Sequence, residues 1–389
     1  MTELIDPPSK PTGPATSPVR LAMVGGGPGA FIGPVHRMAA ELDRAMVLVA
    51  GAFSADAVRS REAGTAYGLS PDRVYEDYRA MMAAEAARPD GAEAVAIVTP
   101  NHLHLPAARA ALEAGLHVIS DKPATRTLAE AQALRALVEQ SGRLYGLTYT
   151  YTGYPMLRAA RGVVARGELG PVRKVVVEYS QGWLSRSLDL AGDKQASWRM
   201  DPEASGAGGC SGDIGVHAFQ AAEFVSGIRV ERVCADLSAS PGRTLDDDCN
   251  VLLRFAGDVP GVLIASQVAS GDRNGLRVRV YGERGGLDWS HESPDRLTLN
   301  WLDAPTQILH AASGYLDAGS RMASRLPVGH PEGFIEAFAN IYREFAAAIR
   351  SGASLSPAPD IREGVRGMAF VDAAVRSSRD AARWTRIEE

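Results

Sequence analysis

Short apolar runs alternate with helix-forming stretches over the first 150 residues of the chain. The runs occupy 20–24, 46–50, 92–98, 116–119 and 143–149, and helical character is clearest at 34–42, 105–115 and 127–141. Strands that alternate with helices are joined by right-handed crossovers into a parallel sheet, and ligands of such a sheet bind beyond its carboxyl edge. The pattern therefore predicts an α/β domain over residues 19–150.

A different pattern begins after residue 150. Aromatic and hydroxyl side chains alternate at 149–155, a helix is predicted over 155–166, and apolar alternation then indicates strands at 172–178, 230–237, 249–255, 261–268 and 276–281, with weaker runs up to 309. This predicts one open, mainly antiparallel sheet. Two helices, at 331–350 and 361–379, complete an α+β domain over 151–389 and can pack back on the first domain. The open sheet face needs a cover, which favours a homodimer or homotetramer.

Length and composition limit the class of the protein. The 389 residues exceed what one hydrophobic core usually serves, which agrees with two domains. No run of roughly 18 apolar residues predicts a membrane span, and a net charge of −5 with mixed signs argues against nucleic-acid binding. Five prolines predict a disordered lead-in over residues 1–18, and an odd number of cysteines, three, favours reduced thiols in the cytoplasm.

A glycine-rich turn, Gly25–Gly33, lies between the first strand and the first helix. In this setting a G-x-G-x-x-G pattern predicts dinucleotide binding, because glycines let the backbone approach a pyrophosphate at the helix N-terminus. Gly25 and Gly27 fit the pattern, whereas the third position is either Ala30 or, in a loop about three residues longer, Gly33. The predicted cofactor contacts in this loop are Gly25, Gly27, Pro28, Gly29, Phe31 and Ile32.

The end of the second strand leaves the choice between NAD and NADP open. An acidic residue there would bind the adenosine ribose of NAD, but the chain has Gly51–Ser54, followed by Arg59 and Arg61. Ser54 and one of these arginines are suited to the additional phosphate of NADP. We therefore expect NAD or NADP as the cofactor, with Ser54 as a contact.

Two further segments end strands at the same edge of the predicted sheet. Residues 99–104 read T-P-N-H-L-H, and residues 121–123 read D-K-P. Lys122 is one of four lysines among 41 basic residues, and an ammonium can share or lose a proton when partly buried, whereas a guanidinium cannot. A surface lysine that caps a strand is the alternative. Because no third ligand lies near His102 and His104 in the sequence, we expect no metal there. The predicted cofactor contacts in these two segments are Thr99, Pro100, Asn101, His104, Asp121 and Lys122.

A glycine-rich segment at 205–217 contains Asp213 and His217. A spacing of four places both side chains on one face of a helix, and glycines ahead of that helix let it approach another surface closely. An acid beside an imidazole can orient it for proton transfer near neutral pH. A capping aspartate and a buried structural histidine are the alternative reading.

These motifs together resemble the glucose-fructose oxidoreductase and inositol 2-dehydrogenase family of sugar and polyol dehydrogenases, over residues 19 to about 380. The D-K-P triplet stands where the family has E-K-P, and the glycine loop is longer than usual. The resemblance implies a Rossmann domain joined to an open-sheet domain, in a dimer or tetramer. It also implies that Lys122, Asp213 and His217 form the catalytic group. Our hypothesis for their roles is that His217 accepts the hydroxyl proton, Lys122 stabilises the developing alkoxide, and Asp213 orients the hydroxyl or the histidine.

Aromatic side chains and arginine guanidinium groups in the second domain are the predicted substrate contacts. Their flat apolar faces and hydrogen-bond donors suit a pyranose or cyclitol ring. These residues are Tyr151, Tyr154, Trp183, Arg186, Trp198, Arg199 and His330. Two alternatives share this fold: an enzyme that cleaves glycosides with a recycled nucleotide, and a nucleotide-sensing regulator. The chain lacks a G-x-S-x-G elbow and ligand-spaced cysteines, which argues against a serine hydrolase and a zinc enzyme.

Overall fold

The structure is a computed structural model that describes residues 17–186, 194–355 and 357–389, without the side chains of 194–196. The predicted lead-in over residues 1–18 lies outside the described residues except for Ser17 and Pro18. None of the helices within these ranges is long and apolar enough to cross a membrane.

Five parallel strands form the sheet of the first domain. They are β1 (Val19–Gly25), β2 (Met46–Ala52), β3 (Ala94–Val98), β4 (His117–Ser120) and β5 (Tyr145–Leu147), in the order β2-β1-β3-β4-β5. The intervening helices are α1 (Ile32–Leu42), α2 (Ala57–Ala66), α3 (Tyr78–Ala87), α4 (His104–Glu113) and α5 (Leu128–Ser141). The order reverses between β1 and β3, so their carboxyl ends open the crevice where such sheets bind ligands. The predicted Rossmann-type fold is confirmed.

Nine strands form the sheet of the second domain, in the order β13-β12-β11-β10-β6-β9-β8-β7-β14. Only β6 and β9 run parallel to each other, so the prediction of an open, mainly antiparallel sheet is also confirmed. The strands are β6 (Val172–Ser180), β7 (Val230–Ser238), β8 (Asp248–Phe255), β9 (Pro260–Ser266), β10 (Gly275–Gly282), β11 (Gly285–Ser290), β12 (Arg296–Trp301), β13 (Gln307–His310) and β14 (Thr385–Arg386).

The second domain also contains helices, which are α6 (Pro155–Ala165), α7 (Lys194–Arg199), α8 (Pro202–Ser205), α9 (Val216–Ser226), α10 (Ala318–Met322), α11 (Phe334–Ser351) and α12 (Ile361–Arg379). Of these, α6, α9 and α12 pack on this sheet. Helix α11 packs against α1, and Phe338 and Tyr342 share a core with the parallel sheet. Helix α12 packs on α5, α9 and β7. The C-terminal helices therefore hold both domains together on either side of the crevice.

Helix α9 is the element that carries the predicted catalytic histidine, and it is buried along almost its whole length. Phe219 on α9 stacks on Phe370 of α12, with ring centroids 4.4 Å apart. Glu223 pairs with the buried Arg366 over 2.7 Å. Apolar packing and this ion pair fix α9 from the side opposite the crevice.

Candidate active site

One large cavity, with a volume of about 1210 Å³, lies between the carboxyl edge of the parallel sheet and the second domain. The glycine loop and the residues that follow β2, β3 and β4 form its first wall. The residues that follow β6, the segment before α9 and the start of β10 form the opposite wall. Lys122 from the first domain and Asp213 and His217 from the second domain all line this cavity.

The geometry of the glycine loop explains why glycine is needed there. Gly25 and Gly26 have φ angles of +88° and +76°, in the left-handed region that favours glycine. A Cβ atom on Gly27 would lie 2.7 Å from the carbonyl oxygen of Phe53, and one on Gly33 would lie 2.4 Å from Cα of Gly26. Gly33 therefore lets α1 approach the loop closely, and of the two alternatives for the third glycine position the longer loop is the one observed.

Most of the predicted cofactor contacts line the cavity. They are Gly25, Gly27, Pro28, Phe31, Ile32, Ser54, Thr99, Pro100, Asn101, Asp121 and Lys122. Gly29 is exposed in the same loop, with a φ angle of +80°, and does not line the cavity. Arg59 does line it, and its Nη2 donates to the carbonyl oxygen of Pro28 over 2.8 Å. A guanidinium and the Ser54 side chain therefore both lie at the end of the cavity formed by the glycine loop and the residues after β2.

The structure corrects the prediction for His104. The side chain is buried behind the cavity wall, with its ring nitrogens 2.8 Å and 2.9 Å from the carbonyl oxygens of Pro123 and Thr99. His104 therefore joins the segments that follow β3 and β4 and has no surface for a cofactor. His102 is exposed outside the cavity. Among the described residues no group of three or more His, Cys, Asp or Glu side chains could hold a metal ion.

Asp121 fixes the backbone from which Lys122 projects. Its Oδ1 accepts hydrogen bonds from the backbone N–H of Lys122 over 2.9 Å and from the Thr148 hydroxyl over 3.1 Å. Burial raises the pKa of this carboxyl, but the buried imidazole of His36, 3.9 Å away, and the Lys122 ammonium more than offset that effect. The pKa of Asp121 therefore lies well below its ordinary value, and the carboxylate is ionised.

Lys122 and Asp213 form an ion pair across the two domains. Nζ of Lys122 lies 2.5 Å from Oδ1 of Asp213 and 2.7 Å from its backbone oxygen. Oδ2 accepts from Nε2 of Gln267 over 2.8 Å and lies 3.6 Å from Nε of Arg199. Burial raises the pKa of Asp213. The positive charges of Lys122 and, next, Arg199 lower it by more, so that the pKa is about 2.

His217 stands beside this ion pair without a hydrogen bond to Asp213. The segment Ser211–Gly215 is a π-helical turn and α9 begins only at Val216, so Asp213 and His217 do not belong to one regular α-helix as the spacing predicts. Burial and, next, the Lys122 ammonium lower the pKa of His217 to about 3, while the Asp213 carboxylate acts in the opposite direction. The ring is therefore neutral at neutral pH.

The predicted substrate contacts divide into two groups. Tyr151, Trp183, Trp198 and Arg199 line the cavity, whereas Tyr154, Arg186 and His330 do not. Tyr154 is buried behind the wall, where its hydroxyl lies 2.9 Å from Nε2 of His291, and its prediction as a substrate contact is wrong. His330 is also a wrong prediction, because it is exposed on the segment that precedes α11, where its Nδ1 lies 3.2 Å from the carbonyl oxygen of Pro327.

Several polar residues of the site carry no sequence motif. Tyr179, Gln181, Asn274 and His291 line the cavity, and Gln267 binds Asp213 from behind it. Each lies within the strands of the second sheet or just beyond their ends, where a polar residue ends or interrupts apolar alternation. That interruption is the one sequence signal that could have found them.

Two family models match the chain. Residues 19–149 match an oxidoreductase family with an NAD-binding Rossmann fold, and residues 157–288 match the GFO/IDH/MocA C-terminal domain. An uncharacterised oxidoreductase of Bacillus subtilis (strain 168) is 33% identical over 384 residues, which cover 96% of this chain and 98% of the relative. Levoglucosan dehydrogenase of Pseudarthrobacter phenanthrenivorans is 27% identical over 76% of this chain and 80% of its own length.

Solved structures of an inositol dehydrogenase homologue from Azotobacter vinelandii are similar over both domains. Its complex with NAD+ has 38% identity and a TM-score of 0.92, covering 95% of this chain and 97% of the homologue. Its complex with NADH and myo-inositol has 37% identity and a TM-score of 0.88, covering 95% and 98%. The chain therefore belongs to the GFO/IDH/MocA family of oxidoreductases, whose first domain is an NAD-binding Rossmann fold.

Proposed function

We propose that this protein is an NAD(P)-dependent dehydrogenase that oxidises a secondary hydroxyl group of a sugar, glycoside or cyclitol. The observation that carries the proposal is that one cavity contains both the glycine loop and the side chains of Lys122, Asp213 and His217. A nucleotide sensor needs only the loop, whereas these three side chains can move a proton and stabilise charge. Relatives crystallised with NAD+, NADH and myo-inositol support the same class of chemistry.

The residues of the first domain fit a nicotinamide dinucleotide. Gly25, Gly26 and Gly27 form a turn with no room for a Cβ atom on Gly27 beside the carbonyl oxygen of Phe53, and the turn leads to the N-terminus of α1, which suits a pyrophosphate. Ser54 and Arg59 would hold the adenosine ribose, with or without a phosphate, and Thr99–Asn101 would hold the opposite half. When bound, the cofactor supplies a hydride acceptor.

His217 receives the proton of the reacting hydroxyl. A buried imidazole with a pKa of about 3 is neutral at working pH, so its acceptor nitrogen is available in the resting site. The Asp213 carboxylate raises the pKa of the imidazole and offsets part of the positive charge that forms when the ring is protonated.

Lys122 stabilises the charge that develops on the reacting oxygen. An ammonium carries three N–H donors, and the oxygens Oδ1 and O of Asp213 accept two of them. The third donor is left for the substrate oxygen, and a positive charge held in place before the reaction costs no reorganisation during it. Asp213 thus aims the ammonium, and Gln267 holds Asp213 through Oδ2.

The opposite wall suits the ring of a sugar or cyclitol. Tyr151, Trp183 and Trp198 give flat apolar surfaces for the C–H faces of such a ring, and Gln181 and Arg199 give hydrogen-bonding groups for its hydroxyls.

A substrate panel tests the proposal directly. Purified protein is incubated with cyclitols, aldoses and glycosides, with NAD and NADP in separate assays, and the absorbance of the reduced nicotinamide is followed. We expect reduced cofactor to accumulate with at least one free sugar or cyclitol, and His217→Ala to lower kcat by about 10²–10⁴. His310→Ala, a histidine at the end of β13 outside the cavity, is the matched control.

Two results would reject the dehydrogenase. Glycoside cleavage without net accumulation of reduced cofactor would place the protein with enzymes that recycle a bound nucleotide. Binding of NAD or NADP without turnover of any substrate in the panel would instead indicate a nucleotide sensor.

The outer face of the nine-stranded sheet supports a second part of the proposal, a homodimer or homotetramer. Val176, Val262 and Ile264 occupy adjacent outward positions on β6 and β9. On the strands beside them, Leu252 is 49% and Tyr281 is 40% exposed. An apolar patch on an open sheet is typical of a surface that packs against a partner.

Sedimentation velocity tests this assembly. We expect the mass of a dimer or tetramer for the wild type and a smaller species for Leu252→Glu. Leu302→Glu changes a leucine that is 75% exposed elsewhere on the second domain and should leave the mass unchanged. A wild-type monomer at micromolar concentration would reject the assembly.

The proposed location is the cytoplasm. Cys210, Cys234 and Cys249 are all free thiols, which is usual for proteins of reducing compartments. Fractionation of the source cells, with a compartment marker for each fraction, tests the location.

A further inference from the structure

Among the described residues, the imidazole of His217 has no hydrogen bond that fixes its orientation. Its Nδ1 is buried without a partner. The oxygens of the nearest carboxylate are already bound, since Oδ1 of Asp213 accepts from Lys122 and Oδ2 accepts from Gln267. Rotation of a histidine ring about its last side-chain bond has only broad preferences. Another contact must therefore hold the ring.

Three tyrosine rings surround this imidazole. The ring centroids of Tyr149, Tyr151 and Tyr179 lie 5.6, 5.1 and 6.2 Å from that of His217. Tyr149 and Tyr151 meet it edge-on, with interplanar angles of 79° and 87°. An imidazole turned out of its plane would press against one of these rings, so the plane of the His217 ring depends on how firmly the tyrosines are held.

Asn274, which precedes β10, joins two of these tyrosines. The hydroxyl of Tyr179 donates to Oδ1 of Asn274 over 2.7 Å, and Nδ2 of Asn274 donates to the hydroxyl oxygen of Tyr151 over 3.2 Å. The two phenol oxygens also hydrogen-bond to each other. Because the single proton of Tyr179 goes to Asn274, Tyr151 must be the donor of that third bond. The result is a closed ring of three hydrogen bonds, in which each bond strengthens the next.

Gln181 adds a further hydrogen bond to the Asn274 amide. Its Nε2 donates to the same Oδ1 over 2.7 Å, so this oxygen accepts from both Tyr179 and Gln181. Tyr151 and Tyr179 are each only 3% exposed, although both line the cavity. The three hydrogen bonds therefore tie together two of the tyrosine rings that pack against His217.

We propose that Asn274 is a positioning residue for the general base: it locks Tyr151 and Tyr179 together, and these rings hold the His217 imidazole in the orientation that accepts a proton. The inference rests on the proposed dehydrogenase function, because it concerns the base of that reaction. Asn274 acts through the tyrosines and does not exchange a proton with the substrate.

Two substitutions break the ring of hydrogen bonds, each at a different residue. Asn274→Leu keeps the size of the side chain and removes its hydrogen bonds, and Tyr151→Phe keeps the aromatic ring and removes its hydroxyl. We expect each to lower kcat about 10- to 100-fold, since small misplacements of a catalytic group have effects of this size. The KM for the polyol and the Kd for the cofactor should change by less than about threefold. The double variant should be no slower than the slower single variant, because both act through one structure.

A matched control and a signal independent of turnover complete the test. Asn300→Leu removes an amide that accepts a hydrogen bond from Thr306 on an exposed hairpin, and it should change nothing in the site. In protein labelled with ¹⁵N-histidine and bound to NAD, the ring signals of His217 should broaden or split in Asn274→Leu and in Tyr151→Phe, and remain single in Asn300→Leu.

The inference is overturned if Asn274→Leu keeps kcat within about twofold and leaves the His217 signals unchanged. It is also overturned if kcat falls only in proportion to the folded fraction seen by circular dichroism. A wild type that reduces neither NAD nor NADP would reject the dehydrogenase, and the His217 signals would still decide whether Asn274 holds the imidazole.

Discussion

Replacing Lys122 with methionine removes the ammonium but keeps an unbranched side chain of similar length. In the intact site Nζ donates to Oδ1 and to the backbone oxygen of Asp213 over 2.5 Å and 2.7 Å. The substitution removes the donor that is proposed to meet the substrate oxygen. Asp213 keeps its contacts with Gln267 and Arg199, so the carboxylate is not left alone.

The expected loss in kcat for Lys122→Met is about 10²–10³, because one donor aimed at a developing oxyanion contributes about 2.7–4 kcal/mol. The free energy of unfolding should fall by only about 1–3 kcal/mol, the usual contribution of a hydrogen bond to a charged group. Cofactor affinity should change little, since the glycine loop at 25–33 carries the pyrophosphate contacts. Large loss of rate with small loss of binding and stability is the signature expected.

The pH dependence of Lys122→Met should shift in one direction. Burial and then the Lys122 ammonium lower the pKa of His217, whereas the Asp213 carboxylate raises it. Removing the ammonium therefore raises the pKa of His217 from its value of about 3. Catalysis needs the neutral ring, so activity is lost as pH falls through that pKa. The acid limb of kcat/KM must move to higher pH in the variant.

Steady-state rates between about pH 3 and pH 9 measure both effects. Lys174→Met is the matched control, because Lys174 is exposed on β6 outside the cavity. A Lys122→Met variant that keeps more than about a third of the wild-type kcat would refute the role given to the ammonium. An acid limb that moves to lower pH would refute the electrostatic account of His217.

Three further substitutions test other parts of the structure. Gly33→Ala places a Cβ atom against Cα of Gly26, so we expect cofactor affinity to fall about tenfold or more in calorimetric titration. Ser54→Asp adds a carboxylate that binds a ribose and repels a phosphate, so the ratio of NADP to NAD affinity should fall at least about tenfold. Arg366→Met removes the ion-pair partner of Glu223 on α9, and scanning calorimetry should record a loss of about 3–5 kcal/mol in the free energy of unfolding.

Two of these substitutions have a control variant, and each of the three has a result that would contradict it. Gly314→Ala adds a Cβ atom in open space and should not change cofactor affinity. Unchanged binding in Gly33→Ala would mean that the loop tolerates a wider separation from α1. For Ser54→Asp, an unchanged cofactor ratio would remove Ser54 from the ribose site. Arg383→Met breaks an exposed ion pair and should cost less than about 1 kcal/mol, and an equal loss in Arg366→Met would contradict the argument from burial.

The sequence predicts those parts of the site that strand ends bring together. The glycine loop, Thr99 and Lys122 follow three parallel strands, and the carboxyl ends of parallel strands meet at one edge whatever the loops do. Asp213 and His217 were also recognisable, from the glycines that precede α9. What the spacing could not show is the π-helical turn at Ser211–Gly215, from which the Asp213 carboxylate reaches Lys122.

Contacts between distant segments are the part that the sequence does not predict. Tyr151 and Asn274 are 123 positions apart, and neither the turn before β10 nor the turn after β5 has a periodicity that pairs them. The wrong predictions for His104 and His330 have the same cause, which is packing between segments distant in the sequence. His104 resembled a cleft residue because it follows a strand, but its burial depends on how α4 packs behind that strand. His330 is placed by the long segment before α11, whose course no local pattern determines.

The geometry of the site and the packing of the two domains depend on the same contacts. Lys122 comes from β4 and Asp213 from the turn before α9, so the 2.5 Å between their charged atoms is a distance across the domain boundary. Asn101 adds a second link over that boundary, through the backbone oxygen of Ser205 at 2.9 Å. The helices α11 and α12 also join the domains, and Phe334 and Phe338 of α11 line the cavity. In a dehydrogenase built in this way, domain packing aims the lysine and the tyrosine rings are proposed to aim the base, so the Asp213 carboxylate acts on the histidine through its charge and without a hydrogen bond.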